Sequence, residues 1–206
     1  MRRPVIAAGL FSAAMVALGL SVGRPGRTGL AVAGGLVAAG SLAWALGRHP
    51  RPRELLGARL PRPRTALLLI PSVAAGMALA GWYRAAQGRA PVPGALTAIA
   101  LGAALIGLAE EVGYRGMVQG CLRRWGWVLA VATASAAHTA YKCSLFVWRP
   151  GAGGTAMATL AIGTFVVGAL LGLLREKGGG LAGPVAFHVV FDIWAYGDLG
   201  QFPWWV

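Results

Sequence analysis

The sequence GALTAIALGAALIGLAEEVGYRGMVQGCL, residues 94–122, decides how this chain folds. It is almost entirely apolar and exceeds the roughly 20 helical residues needed to cross the hydrocarbon core of a bilayer. Within it lie two adjacent carboxylates, Glu110 and Glu111, and an arginine, Arg115. Because a charged side chain at the bilayer centre costs about 2.5 to 3.5 kcal/mol even on the lenient insertion scale, these three residues need a partner or a function.

The rest of the chain has the same apolar character. Of its 206 residues, 57% are hydrophobic and 12% are charged, which is too apolar for a soluble domain of this length. A span in lipid must be helical, because lipid offers backbone groups no other hydrogen-bond partner. We therefore predict an all-α, polytopic transmembrane helix bundle that forms a single membrane-embedded domain, residues 1–206. About seven spans are expected: Pro4–Val22, Thr28–Leu46, Thr65–Tyr83, Gly94–Leu122, Trp125–Trp148, Thr155–Leu174 and Leu181–Gly197.

The basic residues indicate a membrane orientation rather than nucleic-acid binding. The net charge is +13, but the Lys and Arg residues fall mostly in short segments between apolar runs, and no basic face with interleaved aromatic residues occurs. Twelve lie on one side of the predicted spans and five on the other, which predicts a cytoplasmic N-terminus and an outside C-terminus. We expect residues 48–64, rich in arginine, to contact anionic lipid headgroups, and we expect no nucleic-acid partner.

Seven ionisable residues remain inside the predicted spans. Glu111 and Arg115 are four residues apart, in the favourable order for a helical ion pair. His188 and Asp192 are also four apart, so they share one face of the last helix. At about 1.5 Å per residue, three helices bring such groups to similar depths between the cytoplasmic side and mid-bilayer. The full set is Glu110, Glu111, Arg115, His138, Lys142, His188 and Asp192.

Two interpretations of this set are possible. The residues could be structural polar contacts, with Glu111 and Arg115 as a buried pair and each histidine bonded to a carbonyl; an unpaired Glu110 beside that pair, which we expect, would instead favour a catalytic role. The alternative is one functional site, which we favour because seven costly residues in three helices exceed what packing needs. We leave Lys142 out of the predicted site, because its closeness to Trp148 lets its ammonium group reach outward to the membrane surface.

The three motifs in this region resemble those of a known family. AEEVGYRG, residues 109–116, is similar to an EExxxR motif, AHTAYK holds a motif-two histidine, and FHVVFD is similar to an HxxxN/D motif. Together they resemble the CPBP family, which comprises the CAAX proteases and bacteriocin-processing enzymes. The resemblance covers about residues 94–200, the expected catalytic core.

The resemblance implies a polytopic intramembrane endopeptidase. It implies that Glu110 and His138 activate the water, that Glu111 and Arg115 pair and hold the site, and that His188 and Asp192 stabilise the oxyanion. Two positions depart from the pattern. Ala134 stands where phenylalanine is usual, which predicts a looser wall beside His138, and Asp192 replaces the commoner asparagine, so it can donate to an oxyanion only when protonated.

Catalytic type and substrate stay open. Glu110, His138 and His188 match the ligand set of a catalytic zinc site, so one divalent metal is possible. We favour a glutamate-dependent mechanism without a cofactor, because no HExxH helix is present. A non-catalytic scaffold or immunity-type protein of the same fold is the alternative function. The 17 arginines against 2 lysines suggest a GC-rich bacterial gene, hence an inner-membrane protein whose substrate is a peptide leader or a membrane sorting segment.

Overall fold

The computed structural model of the chain describes residues 3–22, 24, 26–58, 66–148 and 153–201. Within these residues the fold is all-helical, with no strand, as predicted. In chain order the elements are α1 (Arg3–Ser21), α2 (Thr28–Arg48), α3 (Pro52–Leu56), α4 (Leu69–Ala86), α5 (Ala98–Glu111), a π-helical segment (Val112–Val118), α6 (Gln119–Leu122), a 3₁₀ turn (Arg123–Trp125), α7 (Trp127–Phe146), α8 (Gly154–Gly178) and α9 (Ala182–Tyr196).

Among the residues that the structure describes, three helical segments are long and apolar enough to cross a membrane: Pro4–Ser21, Thr28–Arg48 and Gly154–Gly178. The predicted number of about seven spans is therefore not confirmed, although each of the seven predicted segments contains a helix. The site residues explain part of the difference, since α7 carries both His138 and Lys142. Helix α9 has 15 residues, and at about 1.5 Å per residue it is shorter than the hydrocarbon core.

The helices pack as two groups that are joined where α7 packs against α8. Helix α9 packs against α4, α5 and α8, while α1 packs against α2 and α7. Between the groups, the ring of Phe11 contacts the edge of Tyr114 at 5.3 Å between centroids. Many large apolar side chains point away from both groups and are exposed, as lipid-facing residues are: Leu36, Ile70, Leu105, Ile162 and Leu170 are examples.

The predicted single helix over residues 94–122 is wrong in two respects. Its regular part begins at Ala98, after a stretch that contains Pro91 and Pro93, and at Val112 it widens into the π-helical segment. π-Helical turns are rare and occur frequently at functional sites. This one directly follows Glu110 and Glu111 and contains Arg115, so the sequence that carries the charges is also the irregular part of the helix.

A buried ion pair fastens α4 to the end of α9. Arg84 is 1% exposed and donates from Nη1 and Nη2 to the two oxygens of Asp198 at 2.8 and 2.6 Å. Its Nε donates to the carbonyl of Ala90 at 2.6 Å. The Arg84 guanidinium lowers the pKa of Asp198 to about 2. The pair therefore stabilises the fold at ordinary pH, and its contribution is lost as the pH falls from about 4 towards 2.

We predict that Asp198→Asn destabilises the protein, because the buried Arg84 loses its counter-charge. A hydrogen bond to a charged group contributes about 1.5 to 3 kcal/mol, so the thermal midpoint in detergent should fall by several degrees. Arg51→Gln is the control, because it breaks an exposed pair with Glu54 at 3.5 Å and should change stability little. Equal midpoints for the two variants would contradict this role of Arg84.

Candidate active site

The structure brings all six predicted site residues together. Glu110 and Glu111 end α5, Arg115 lies in the π-helical segment, His138 lies on α7, and His188 and Asp192 lie on α9. Lys142, on α7, joins them. The two glutamates are 2% and 0% exposed, so their charges depend on the side chains around them rather than on solvent.

Arg115 joins the two halves of the cluster. Its Nη1 lies 3.2 Å from Glu111 Oε1, so the predicted Glu111–Arg115 pair is present. The same Nη1 lies 3.0 Å from His138 Nδ1. A guanidinium can only donate, so His138 Nδ1 accepts and the ring proton is on Nε2, which donates to Glu110 Oε2 at 2.9 Å. Arg115 thereby fixes the tautomer of the imidazole that contacts Glu110.

Glu110 is not the unpaired carboxylate that we expected. Lys142 Nζ lies 2.6 Å from Glu110 Oε1, and the Lys142 side chain is 24% exposed. The expectation that Lys142 reaches outward is therefore wrong. Lys142 points inward for an electrostatic reason, because a buried carboxylate on a neighbouring helix lies within reach of its ammonium group. The two oxygens of Glu110 thus have different partners: Lys142 at Oε1 and His138 at Oε2.

His188 is oriented by the second glutamate. Its Nδ1 lies 2.8 Å from Glu111 Oε1, and a carboxylate oxygen accepts, so Nδ1 carries a proton. Its Nε2 lies 3.7 Å from Glu110 Oε2 and 3.8 Å from Asp192 Oδ2, both too long for hydrogen bonds. The predicted His188–Asp192 neighbours are therefore close but not bonded, and Nε2 faces the space between two carboxylates.

Gly107 lets α5 and α9 approach closely enough for these contacts. A Cβ at this position would overlap the Asp192 carboxylate and would lie 3.0 Å from His188 Cδ2. A glycine one turn before the glutamates therefore belongs to the site, although its own atoms carry no chemistry.

The wall beside His138 is aromatic, although Ala134 replaces the usual phenylalanine. The ring of Tyr114 lies 4.7 Å from the His138 ring, and the ring of Tyr141 lies 6.4 Å from it, measured between centroids. Ala134 itself is buried in the apolar core. The loosening that we expected at this wall is offset by tyrosines from the π-helical segment and from α7.

The cluster lines one part of a cavity of about 750 Å³ between α4, α7, α8 and α9. Arg115, His138, Lys142, His188 and Asp192 supply its polar part, and most other lining side chains are apolar or aromatic, such as Trp82, Leu160 and Phe191. A large apolar cavity with a few convergent polar groups is typical of a substrate site.

The described residues do not fit a metal centre well. Among them, no group of three or more His, Cys, Asp or Glu side chains is arranged to hold a metal ion. Glu110, His138 and His188 do approach one another, but the Lys142 ammonium and the Arg115 guanidinium directly contact two of them. Because positive charges repel a metal cation, we derive the chemistry from the protein groups alone.

Sequence reasoning left Lys142 out of the site and missed Tyr114 and Gly107. Lys142 had a signal, since it follows His138 by four residues and so shares its helical face. Tyr114 lies within the first motif but has no ionisable role there. Gly107 precedes Glu111 by four residues, but nothing in a sequence of many small residues distinguishes it from its neighbours.

A family model matches the half of the chain that contains these residues. It is described as type II CAAX prenyl endopeptidase Rce1-like, and it matches residues 91–194. The matched region begins before α5 and ends within α9, so it includes all three motifs. No curated protein and no solved structure matches the chain.

Proposed function

The chain belongs to the type II CAAX prenyl endopeptidase Rce1-like family, and from this premise we propose that Glu110 is the general base of an intramembrane endopeptidase. The observation that carries the proposal is the environment of Glu110 Oε2. This buried oxygen accepts from His138 Nε2 at 2.9 Å and lies 3.7 Å from His188 Nε2. Both imidazoles line the cavity, so a water beside Oε2 adjoins a peptide bound there.

In this mechanism Glu110 takes a proton from water, and the hydroxide oxygen adds to the carbonyl carbon of the substrate. The tetrahedral intermediate carries a negative oxygen, which His188 Nε2–H stabilises when the ring holds both protons. The carbon–nitrogen bond then breaks, and the proton from Glu110 passes to the leaving amine. A buried carboxylate with a hydrogen-bonded histidine is a suitable pair for both proton transfers.

The remaining charged residues position this machinery. Lys142 donates to Glu110 Oε1, so Oε2 is the oxygen that faces the two imidazoles. Glu111 orients His188, and Arg115 orients both Glu111 and His138. Asp192 is proposed as a second donor to the oxyanion, which requires its protonated form. The apolar cavity supports a protein or peptide substrate with a membrane-embedded segment, such as a peptide leader or a sorting segment.

We expect Glu110→Gln to abolish cleavage while the protein stays folded, because it removes the base without changing the shape. Purified protein in liposomes would be incubated with internally quenched peptides that each contain an apolar segment. Loss of a general base should cost about 10²-fold or more in rate. Arg51→Gln, at an exposed ion pair, should cleave like the wild type.

Cleavage by Glu110→Gln above a few per cent of wild type, at equal protein amounts, would remove Glu110 from this role. If the wild type binds these peptides without cleaving any of them, a scaffold function would replace the protease.

The role of Asp192 is tested by two replacements. Asparagine fills the same space and donates, so Asp192→Asn should remain active, whereas Asp192→Ala should lose about 10²-fold in kcat as other oxyanion donors do. If Asp192 instead orients His188 or binds a metal, the asparagine variant should be nearly inactive. In the metal case a chelator should also inhibit the wild type.

We further propose about seven spans in a bacterial inner membrane, with the N-terminus in the cytoplasm. Helix α7 supports one of these spans, because Trp127 and Trp148 are exposed near its two ends, about 30 Å apart along its axis, and tryptophan favours membrane interfaces. His138 lies about midway, so the site is nearer mid-bilayer than we expected from the sequence.

Cysteine labelling in intact cells tests this orientation. Cys121 and Cys143 are both free and would first be replaced by serine. A cysteine at Arg53 should resist a membrane-impermeant maleimide, and a cysteine at Val206 should react, because the side rich in Lys and Arg stays in the cytoplasm. The reverse labelling pattern would invert the proposed topology.

A further inference from the structure

Ser135 differs from every other serine of the chain. Ser12, Ser21, Ser41 and Ser72 each donate to the carbonyl four residues earlier, at 2.6 to 2.8 Å, and Ser144 donates to the carbonyl of Tyr141. The hydroxyl of Ser135 is buried, and it has no hydrogen-bond partner among the residues that the structure describes. The backbone of its own helix therefore does not accept a hydrogen bond from the Ser135 hydroxyl, and another group must do so.

The hydroxyl faces a gap that Gly168 of α8 keeps open. A Cβ at Gly168 would lie 2.9 Å from Arg115 Nη2 and 3.3 Å from Ser135 Oγ. Arg115 Nη2 and Nε also have no partner within the described parts of the chain, although Arg115 is 1% exposed. Buried polar atoms without a partner cost about 1 to 3 kcal/mol each. Internal water usually satisfies such groups, and Arg115 and Gly168 also line the large cavity, which has room for it.

A buried glutamine continues this polar line towards the membrane surface. Gln119 Nε2 donates to the carbonyl of Gly172 at 3.1 Å and to Glu176 Oε1 at 2.8 Å. Gln119 Oε1 is buried and lacks a partner in the described structure. Gly172 follows Gly168 by one turn of α8, so the gap and the glutamine lie along the same face.

The line ends at a second cavity. Glu176 Oε2 pairs with Nη2 of Arg123, whose side chain is 54% exposed. Arg123, Arg175 and Glu176 line a surface cavity of about 260 Å³. At the other end of the polar line, Arg115 and Gly168 line the large cavity of the candidate site. Buried polar side chains with unpartnered atoms therefore lie at intervals between the surface cavity and the site, with Val131 beside Gln119 at Gly172.

We propose that Arg115, Ser135, Gln119 and Glu176 form a water-binding path that supplies the water consumed at Glu110. The inference rests on the proposed protease function for its purpose, but not for the hydration of the path. Hydrolysis consumes one water per peptide bond, whose hydroxyl goes to the new carboxyl group and whose hydrogen goes to the new amine. A bound apolar substrate fills the large cavity, so replacement water has to arrive from the opposite side.

The test is the reactivity of a thiol placed on the path. Ser135→Cys is made in a chain whose Cys121 and Cys143 are replaced by serine, and the protein is reconstituted in liposomes. Silver ion, which is small and hydrated, is the probe, and the thiol that survives is counted after denaturation. Ala130→Cys on the same helix is the matched control, because Ala130 is 0% exposed in the apolar core.

We expect the cysteine at 135 to react at least about tenfold faster than the cysteine at 130, because an apolar core excludes hydrated ions. Adding Gln119→Met should slow the reaction at 135 several-fold, since methionine has similar length but cannot bind water. Equal rates at 135 and 130 would overturn the path. An undiminished rate with Gln119→Met would place the entry of water at the large cavity and would overturn the route through Gln119.

Catalysis provides the second readout. With the native Ser135, Gln119→Met should lower kcat and leave KM unchanged, and Gln119→Asn should recover part of kcat because it binds water. Wild-type kcat in Gln119→Met would contradict the supply of water by this route. The silver reaction does not depend on proteolysis, so an inactive wild type with a reactive cysteine at 135 would refute the protease function alone.

Discussion

The burial of two adjacent carboxylates, Glu110 and Glu111, is the constraint on which the rest of the structure depends. Neither can be left uncompensated, because removing one partner of a buried ion pair costs about 3 to 5 kcal/mol. Successive residues of a helix point about 100° apart, so the two carboxylates address different neighbours. Glu110 contacts His138 and Lys142 of α7, and Glu111 contacts His188 of α9. Charge compensation thereby fixes three elements around one point.

The irregular backbone beside the glutamates serves the same arrangement. The π-helical segment begins at Val112 and brings the guanidinium of Arg115 to both Glu111 and His138. It also places the Tyr114 ring beside the His138 ring. Gly107, one turn before the glutamates, removes the side chain that would keep α9 away. Two deviations from an ordinary helix, a wide turn and a missing Cβ, thus create room for charged groups in a bundle that is otherwise apolar.

Residue spacing predicted much of this site. The high cost of an isolated charge in lipid singled out seven residues, and the structure brings all seven together. Four-residue spacing also predicted the Glu111–Arg115 pair, which is present at 3.2 Å. Spacing could not reveal which way Lys142 points, because its stem reaches both the surface and Glu110. The π-helical segment could not be predicted either, since the i→i+5 pattern depends on packing against α1, α7 and α8 rather than on local sequence.

The central claim is that Glu110 does chemistry while Lys142 compensates its charge, and a double-mutant cycle tests it most directly. Thermal midpoint and peptidase rate would be measured for Glu110→Gln, Lys142→Met and the two combined. Each single variant leaves one charge without its partner and should lower the thermal midpoint while the protein stays folded at the assay temperature, whereas the double variant should recover most of the lost stability, because a buried pair can be replaced by neutral groups at little cost. The double variant should nevertheless stay inactive. Additive destabilisation, or peptidase activity in the double variant, would contradict the claim.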